Sequence, residues 1–474
     1  MRYGGYLIQS QHMSVLSGSV STGPLIRTLP VGGSQSPSRS INWLSVRLPV
    51  SSTVAVTKVP STDPFVIAQK LARKISDVSK LVVGYEDVFK QALLAFMTKE
   101  HILLEGPPGT SKSAFARALF SAISGAKVFR VQLSKSTPEE TLLGAYDIEK
   151  LRRGIMFHNT EGSIVRAHFA FLDEFKDANE HVLRSLLGVL NERIFQKGVQ
   201  EEQCPLHTAV ATTNFCKSTE ALEAIDDRFA FRATMTPNFS MRSLLAIDHA
   251  HLKGRKLEKN QLQDDSVTLE ELTLLSDVVR GASLKTRITL PDAVLLLKNL
   301  IITEYVKAAK AESKKEVYVS PRSIAKAQDV LVASAILNGR NTVTVDDLAA
   351  LRYTIPKLGD QEFAYEKIFD RVCKELVSLC APAVMEKVDI LATFDTLITN
   401  LIEQGDGVMK VISPSLWERI KILLNITSIG EITVDRLKKG IEPLTFDVEG
   451  IDAYKKSLLQ VLDEQRELID QQAP

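Results

Sequence analysis

The chain has 474 residues, 45% of them hydrophobic and 24% charged, the composition of an ordinary globular protein. That length exceeds what one compact core supports, so roughly two to four domains are expected. The formal net charge is +1, which argues against a protein held to nucleic acid mainly through backbone phosphates, since such proteins carry a basic excess.

Cys204, Cys216, Cys373 and Cys380 form no CxxC pair. They read as reduced structural thiols of a cytoplasmic protein, not as a zinc site or a disulfide framework. No apolar run of about 18 residues occurs, so no membrane span is expected. Ser, Gly and Gln interrupt the start of the chain, which lacks the continuous apolar core of a signal peptide.

Residues 1–62 are rich in Ser, Gly, Pro and Thr, as in SVLSGSVSTGP and VGGSQSPSRS. Such a stretch buries too little apolar surface to offset the entropy of ordering, so a flexible leader is expected, with Met13 as a possible internal start. From Asp63 the texture changes. DPFVIAQKLARKISDVSKLVVG has helical spacing, with Asp63 suited to an N-cap and Pro64 to the first helical position. EDVFKQALLAFMTKE reads as a second helix. HILLEG, VFRVQL, FAFLDE, HTAVATT and FAFRATM read as short buried strands. Between them SKSAFARALFSAI, ANEHVLRSLLGVLNERIF and STEALEAI read as helices. That alternation predicts a parallel sheet with helices on both faces. After about Ser240 helical periods dominate, through MRSLLAIDHAHL, LTLLSDVVRGA, PDAVLLLKNLIITEYVKAAKAE and PRSIAKAQDVLVASAILNG. The last segment is mostly helical too, ending in KSLLQVLDEQRELID.

The strongest chemical signal is Gly106-Pro107-Pro108-Gly109-Thr110-Ser111-Lys112-Ser113, between a predicted strand and a predicted helix. A phosphate-binding loop needs that setting, because backbone N–H groups and the helix N-terminus face the anion. Lys112 then supplies charge to the β- and γ-phosphates of ATP, and Ser113 a hydroxyl to Mg²⁺. Ser111 departs from the usual glycine before the lysine. The strand FAFLDE ends in two carboxylates, at the edge where parallel sheets bind ligands. There Asp173 can hold Mg²⁺, and Glu174 can orient or deprotonate the attacking water. Asn214, just past HTAVATT, can contact the γ-phosphate or the water; turn chemistry alone would also place an Asn there. Arg228, in DDRF, fits either an arginine offered to a neighbouring subunit's phosphate or a surface ion pair with Asp226 or Asp227. Arg322 follows Ser320-Pro321 and so enters the first turn of a helix, where it opposes the dipole unless an anion is near.

These elements, in this order, resemble the AAA+ superfamily, most closely the MoxR family and within it the RavA type. The carrying stretches are LVVGYEDV, EGPPGTSKS, STPEETLLGAYDIEKLRRG, HFAFLDEF, LRSLLGVLNERIFQKG, TTNF, LEAIDDRFAFR and SPRSIAKAQDVLVASAILNGRNTVTVDDL, over about residues 65–352. The resemblance implies that Lys112 and Ser113 are the Walker A lysine and hydroxyl, and Asp173 and Glu174 the Walker B pair. By the same resemblance Asn214 is sensor 1, Arg228 the arginine finger and Arg322 sensor 2, and Val83 and Gly84 lie against adenine. RRGIMFHNTEGSIVRA resembles the hairpin-bearing insert of this clade, and Arg193 is either a second contact to a neighbour or a helix cap. A hexameric ring, protein clients to remodel or mature, and a partner with a von Willebrand A domain are also implied. The expected division is a leader over 1–62, a nucleotide-binding α/β domain over 63–240, a helical lid over 241–352 and a mostly helical region over 353–474.

Two other readings share the nucleotide core. A nucleic-acid motor is disfavoured by the neutral charge, and a non-catalytic scaffold by the joint presence of Glu174, Asn214 and Arg228. A nucleotide kinase fits poorly with a large helical lid carrying Ser-Pro-Arg. The GAFTGA loop of bacterial transcriptional motors is absent; the nearest string is LLGAYD. A chain beginning at Asp63 is expected to fold and to keep the ATP turnover of the full chain, because the leader has no core to join. A steady-state ATPase assay on the truncated protein checks this, and complete loss of turnover in a folded truncation refutes it.

Overall fold

The computed structural model describes residues 62–214, 226–236, 240–254, 266–283, 286–356, 364–404, 408–409 and 432–472. The expected leader, Cys216 and the expected helix STEALEAI lie outside them, apart from Thr62.

The strands are β1 (Ile102–Glu105), β2 (Ile123–Ser124), β3 (Val128–Gln132), β4 (Phe169–Asp173), β5 (Ile194–Lys197), β6 (Gln200–Gln203), β7 (Thr208–Thr213) and β8 (Phe231–Thr234). Five of them form one sheet in the order β3-β4-β7-β1-β8. Every pairing in it is parallel: Gln132 lies opposite Asp173, and Glu105 opposite both Thr213 and Thr234. β1 and β7 are buried at every position, and β4 at all but Asp173. Such runs suit strands covered on both faces, which is why they read as continuous apolar segments rather than alternating ones.

The helices around this sheet are α1 (Pro64–Ser79), α2 (Glu86–Thr98), α3 (Lys112–Phe120), α4 (Glu140–Leu143), α5 (Ile148–Arg152), α6 (Glu180–Ser185) and α7 (Leu187–Asn191). Asp63 caps α1 as expected, its side chain accepting from the N–H of Phe65 at 2.9 Å, with Pro64 at the first helical position. α2 meets α3 through Phe89 and Phe115, whose ring centroids are 4.3 Å apart. The chain loops out after α4 and returns through an antiparallel bridge between Tyr146 and His158, enclosing α5.

Two local expectations are corrected. The single helix expected over ANEHVLRSLLGVLNERIF is instead α6, α7 and then β5, which pairs antiparallel with β6. Gly188 weakens the helix interior, and Arg193 at φ 60° turns the chain out of it. Gly198 at φ 57° then makes the tight turn between Lys197 and Gln200. The expected helix through Ile123 stops at Phe120, and Ile123–Ser124 pairs in parallel with Val267–Thr268.

Beyond the sheet come helices Met241–Gly254, Leu269–Val279, Asp292–Ser313 and Pro321–Leu337, followed by Tyr365–Leu379, Pro382–Gln404, Val434–Ile441 and Glu449–Gln472. The helix Pro321–Leu337 is tied to the sheet region by Lys326, whose ammonium lies 2.6 Å from Glu100 just before β1. Gln91 of α2 donates to the carbonyls of Arg232 at 2.8 Å and Tyr353 at 3.1 Å. The Lys326–Glu100 pair ties the helix that carries Arg322 to the chain just before β1. No helix among the described residues is long and apolar enough to cross a membrane.

The loop after β1 is closely backed. A methyl group at Gly106 would stand 2.4 Å from the carbonyl oxygen of Met235, just past β8. Gly106→Ala is therefore expected to cost about 1–3 kcal/mol of stability, as overpacking does. A calorimetric melt checks it, and an unchanged melting temperature contradicts the contact.

Candidate functional site

Because the sheet is parallel, the carboxyl ends of β1, β3, β4 and β7 share one edge. Everything the sequence marked for phosphate chemistry on these strands projects from that edge. β1 runs into residues 106–111, and α3 starts at Lys112. Gly109 takes φ 85°, and Ser111 takes φ 64°, the left-handed backbone that favours glycine. Glycine is common before such a lysine for this reason, and Ser111 bears the strain instead. Thr110 closes the loop by donating its hydroxyl to the carbonyl of Pro107 at 2.9 Å.

The Lys112 ammonium donates to the carbonyls of Gly106 at 2.5 Å and Pro107 at 3.1 Å, and to Asn214 Oδ1 at 3.3 Å. Burial lowers its pKa, against the opposing pull of the Asp173 and Glu174 carboxylates. Ser113 donates to Asp173 Oδ2 at 3.2 Å. The other Asp173 oxygen accepts from the hydroxyl of Thr212 on β7 and from the Glu174 N–H at 3.2 Å. Glu174 sits at φ 52°, and its Oε2 accepts from Gln132 Nε2 at 3.0 Å. Lys112 with Asn214, and Ser113 with Asp173, Glu174, Thr212 and Gln132, thus form two hydrogen-bonded groups at one sheet edge.

The donor set suits a hard divalent cation. Ser113 and Asp173 offer adjacent oxygens. That matches Mg²⁺, which takes one or two protein oxygens and completes its shell with substrate phosphates and water.

Arg322 Nη1 lies 3.3 Å from Asp227 Oδ2, so the lid arginine reaches the Asp226–Arg228 segment. Its helix is capped by Ser320, which accepts from the Ser323 N–H at 3.2 Å. In the same segment Asp226 pairs with Lys176 and Asp227 with Arg322. Val83 and Gly84 lie in the turn between α1 and α2, with Gly84 at φ 92°.

Arg193 is turned inward and half-buried at the opposite, amino-terminal end of the strands. Its guanidinium donates to the carbonyls of Leu190, Leu206 at 2.9 Å and Lys99 at 3.0 Å. Burial pulls its pKa down to about 10, so it remains charged at neutral pH. The cap reading is the correct one.

Four residues with a place in the cluster were missed. Gln132 and Glu105 end strands β3 and β1, and the strand-end rule that flagged Asp173 would have flagged them. Thr212 sits inside an all-buried run, and Lys176 in an ordinary charged turn; neither carries a local signal.

A family model described as the MoxR domain in the MoxR–vWA–β-propeller ternary systems matches residues 69–277, and an AAA lid domain model matches residues 293–369. Together these stretches take in more than half of the chain.

The chain belongs to the MoxR family of AAA+ ATPases.

It is similar to an uncharacterised protein of Methanocaldococcus jannaschii, 27% identical over 69% of this chain and 79% of that one. Chaperone MoxR1 of Mycobacterium tuberculosis is 30% identical over 34% of this chain and 43% of its own length. A crystal structure of an ATPase candidate from Cytophaga hutchinsonii superposes with a TM-score of 0.52 at 20% identity, over 66% of this chain and 95% of that one, which supports the fold.

Two substitutions separate binding from turnover in this cluster. Lys112→Ala is expected to abolish ATP binding, read by titration calorimetry. Glu174→Gln keeps shape and is expected to keep binding while turnover falls about 10²–10⁴-fold. Wild-type affinity in the first, or near-wild-type turnover in the second, contradicts the assignment of that residue.

Proposed function

We propose that this chain hydrolyses ATP within a six-membered ring of identical subunits and uses the energy to remodel or mature protein clients, in the manner of the RavA type. The supporting observation is that two hydrogen-bonded pairs, Lys112 with Asn214 and Ser113 with Asp173, stand at one sheet edge. In this reading residues 106–113 cradle the phosphates and Lys112 exchanges its carbonyl partners for the β- and γ-phosphate oxygens. Ser113 and Asp173 hold Mg²⁺, which when bound offsets charge on the phosphoryl oxygens. Glu174 orients the attacking water and takes its proton, and Asn214 positions that water or the γ-phosphate. Val83 and Gly84 line the adenine side. Arg322 approaches the phosphates from the lid, and Arg228 serves the pocket of the adjacent subunit.

The segment enclosed by the Tyr146–His158 bridge supports the client reading. Ile148 is 67% exposed and Met156 60%, with Arg152 and Arg153 beside them, an apolar and cationic surface suited to gripping extended chain. The matched model's description supports a von Willebrand A partner. The working division remains 1–62, 63–240, 241–352 and 353–474, in a cytoplasmic protein.

A shared site makes a sharp prediction. Arg228→Ala subunits keep their pocket and lack the finger; Lys112→Ala subunits keep the finger and lack the pocket. Each alone is expected to be inactive, and a mixture to regain part of the wild-type rate, with activity per subunit rising with concentration until assembly is complete. Full activity of Arg228→Ala overturns the shared site, since an exposed ion pair is worth only about 0–1 kcal/mol.

A further inference from the structure

Glu174 is followed by a 3-10 turn, Phe175–Asp177, and the first two side chains of that turn reach the same neighbour. The ring of Phe175 packs edge-on against that of Phe229, with centroids 5.2 Å apart. The Lys176 ammonium lies 3.0 Å from Asp226 Oδ2 and 3.0 Å from Glu105 Oε1. Asp226 and Phe229 are the two ends of one turn, closed by the Phe229 N–H donating to the Asp226 carbonyl at 3.0 Å. Arg228 stands inside that turn. One apolar contact and one ion pair, from consecutive residues, therefore pin both ends of the segment that carries Arg228.

The ionic half has a further partner. Glu105 is the last residue of β1 and precedes Gly106, so Lys176 joins the phosphate loop, the end of β4 and the Arg228 turn through one nitrogen. Its side chain is only 4% exposed. Burial works against the charge, but Asp226 and Glu105 outweigh it and raise the lysine pKa. The second oxygen of Asp226 is buried without a hydrogen-bond partner among the described residues, so removal of the ammonium leaves a poorly compensated buried carboxylate. Arg232, buried behind the turn, adds a second cation near Asp226 and Asp227 and donates to the Phe229 carbonyl at 3.2 Å.

We propose that Lys176 is a positioning residue that clamps the Asp226–Phe229 turn to the strand ends of its own nucleotide site, and so sets how Arg228 is presented to the neighbouring subunit. This rests on the shared-site reading above. Lys176 acts through Asp226. The clamp gives each subunit a direct mechanical link between its own phosphate loop and the arginine it lends.

Mixed rings isolate this role from any effect on the subunit's own pocket. Arg228→Ala subunits serve as acceptors, and Lys112→Ala subunits as donors of the finger. Donors carrying Lys112→Ala together with Lys176→Met are expected to assemble normally by size-exclusion chromatography yet restore about five-fold less activity or worse. Restoring Lys176 in the donor recovers the rescue. Equal rescue by both donors overturns the clamp and leaves the shared site standing. Absence of rescue by the parent Lys112→Ala donor overturns the shared site, and the clamp with it. Should the Lys176→Met donor not fold, Asp226→Asn in the Lys112→Ala donor replaces it, since that change leaves Lys176 its Glu105 partner. The same loss of rescue is then expected, and undiminished rescue overturns the clamp.

Discussion

The parallel register of five strands is the constraint on which the rest of this protein depends. β1, β4 and β7 are covered on both faces, so polar groups can leave the sheet only at the strand ends. Parallel pairing brings the carboxyl ends to one side, opposite the entries of the chain. Asp173, Gln132, Glu105 and Asn214 thereby become neighbours although they are far apart in sequence. The start of α3 adds its free N–H groups to that edge, where an anion is favoured.

Holding so many polar groups together has a local cost. Ser111 and Glu174 are two of the five described non-glycine residues with left-handed backbone, at about 1–2 kcal/mol each. Both flank the cluster, as strained residues tend to flank functional sites. The bonds from Thr212 and Ser113 to Asp173, and from Gln132 to Glu174, hold the two carboxylates in place. The opposite end of the sheet is closed by Arg193 and His101. The imidazole accepts from the Ala209 N–H at 2.8 Å and stays neutral, burial and Arg193 keeping its pKa well below the usual range. That end is a structural cap built on backbone carbonyls, and the chemistry is confined to the other.

The lid and the insert add what a sheet alone lacks. Lys326 and Glu100 fix the helix that begins at Pro321, so Arg322 arrives beside Asp227 through a rigid element rather than a loop. Lys176 and Phe175 do the same for the turn around Arg228. Both arginines are thus referenced to the same strand ends as the loop over 106–111.

The sequence by itself was enough for the parallel sheet, the glycine-bearing loop before α3, the strand-end position of Asp173 and the helices that follow the sheet. Those features are written in short-range pattern: apolar runs of strand length, glycines before a helix, Ser-Pro at a helix start. It also carried the family, through the order of its motifs. It failed wherever the deciding partner is remote. ANEHVLRSLLGVLNERIF has helical spacing throughout, yet β5 leaves the helix because β6 and the pocket for Arg193 await it. Arg193 looked available because nothing local says that the carbonyls of Lys99 and Leu206 converge on it. Lys176 carried no local signal because its two carboxylates lie at positions 105 and 226. Local pattern determines which elements form. Only the packed sheet decides which charges meet, because burial is what makes an ion pair between distant residues worth keeping.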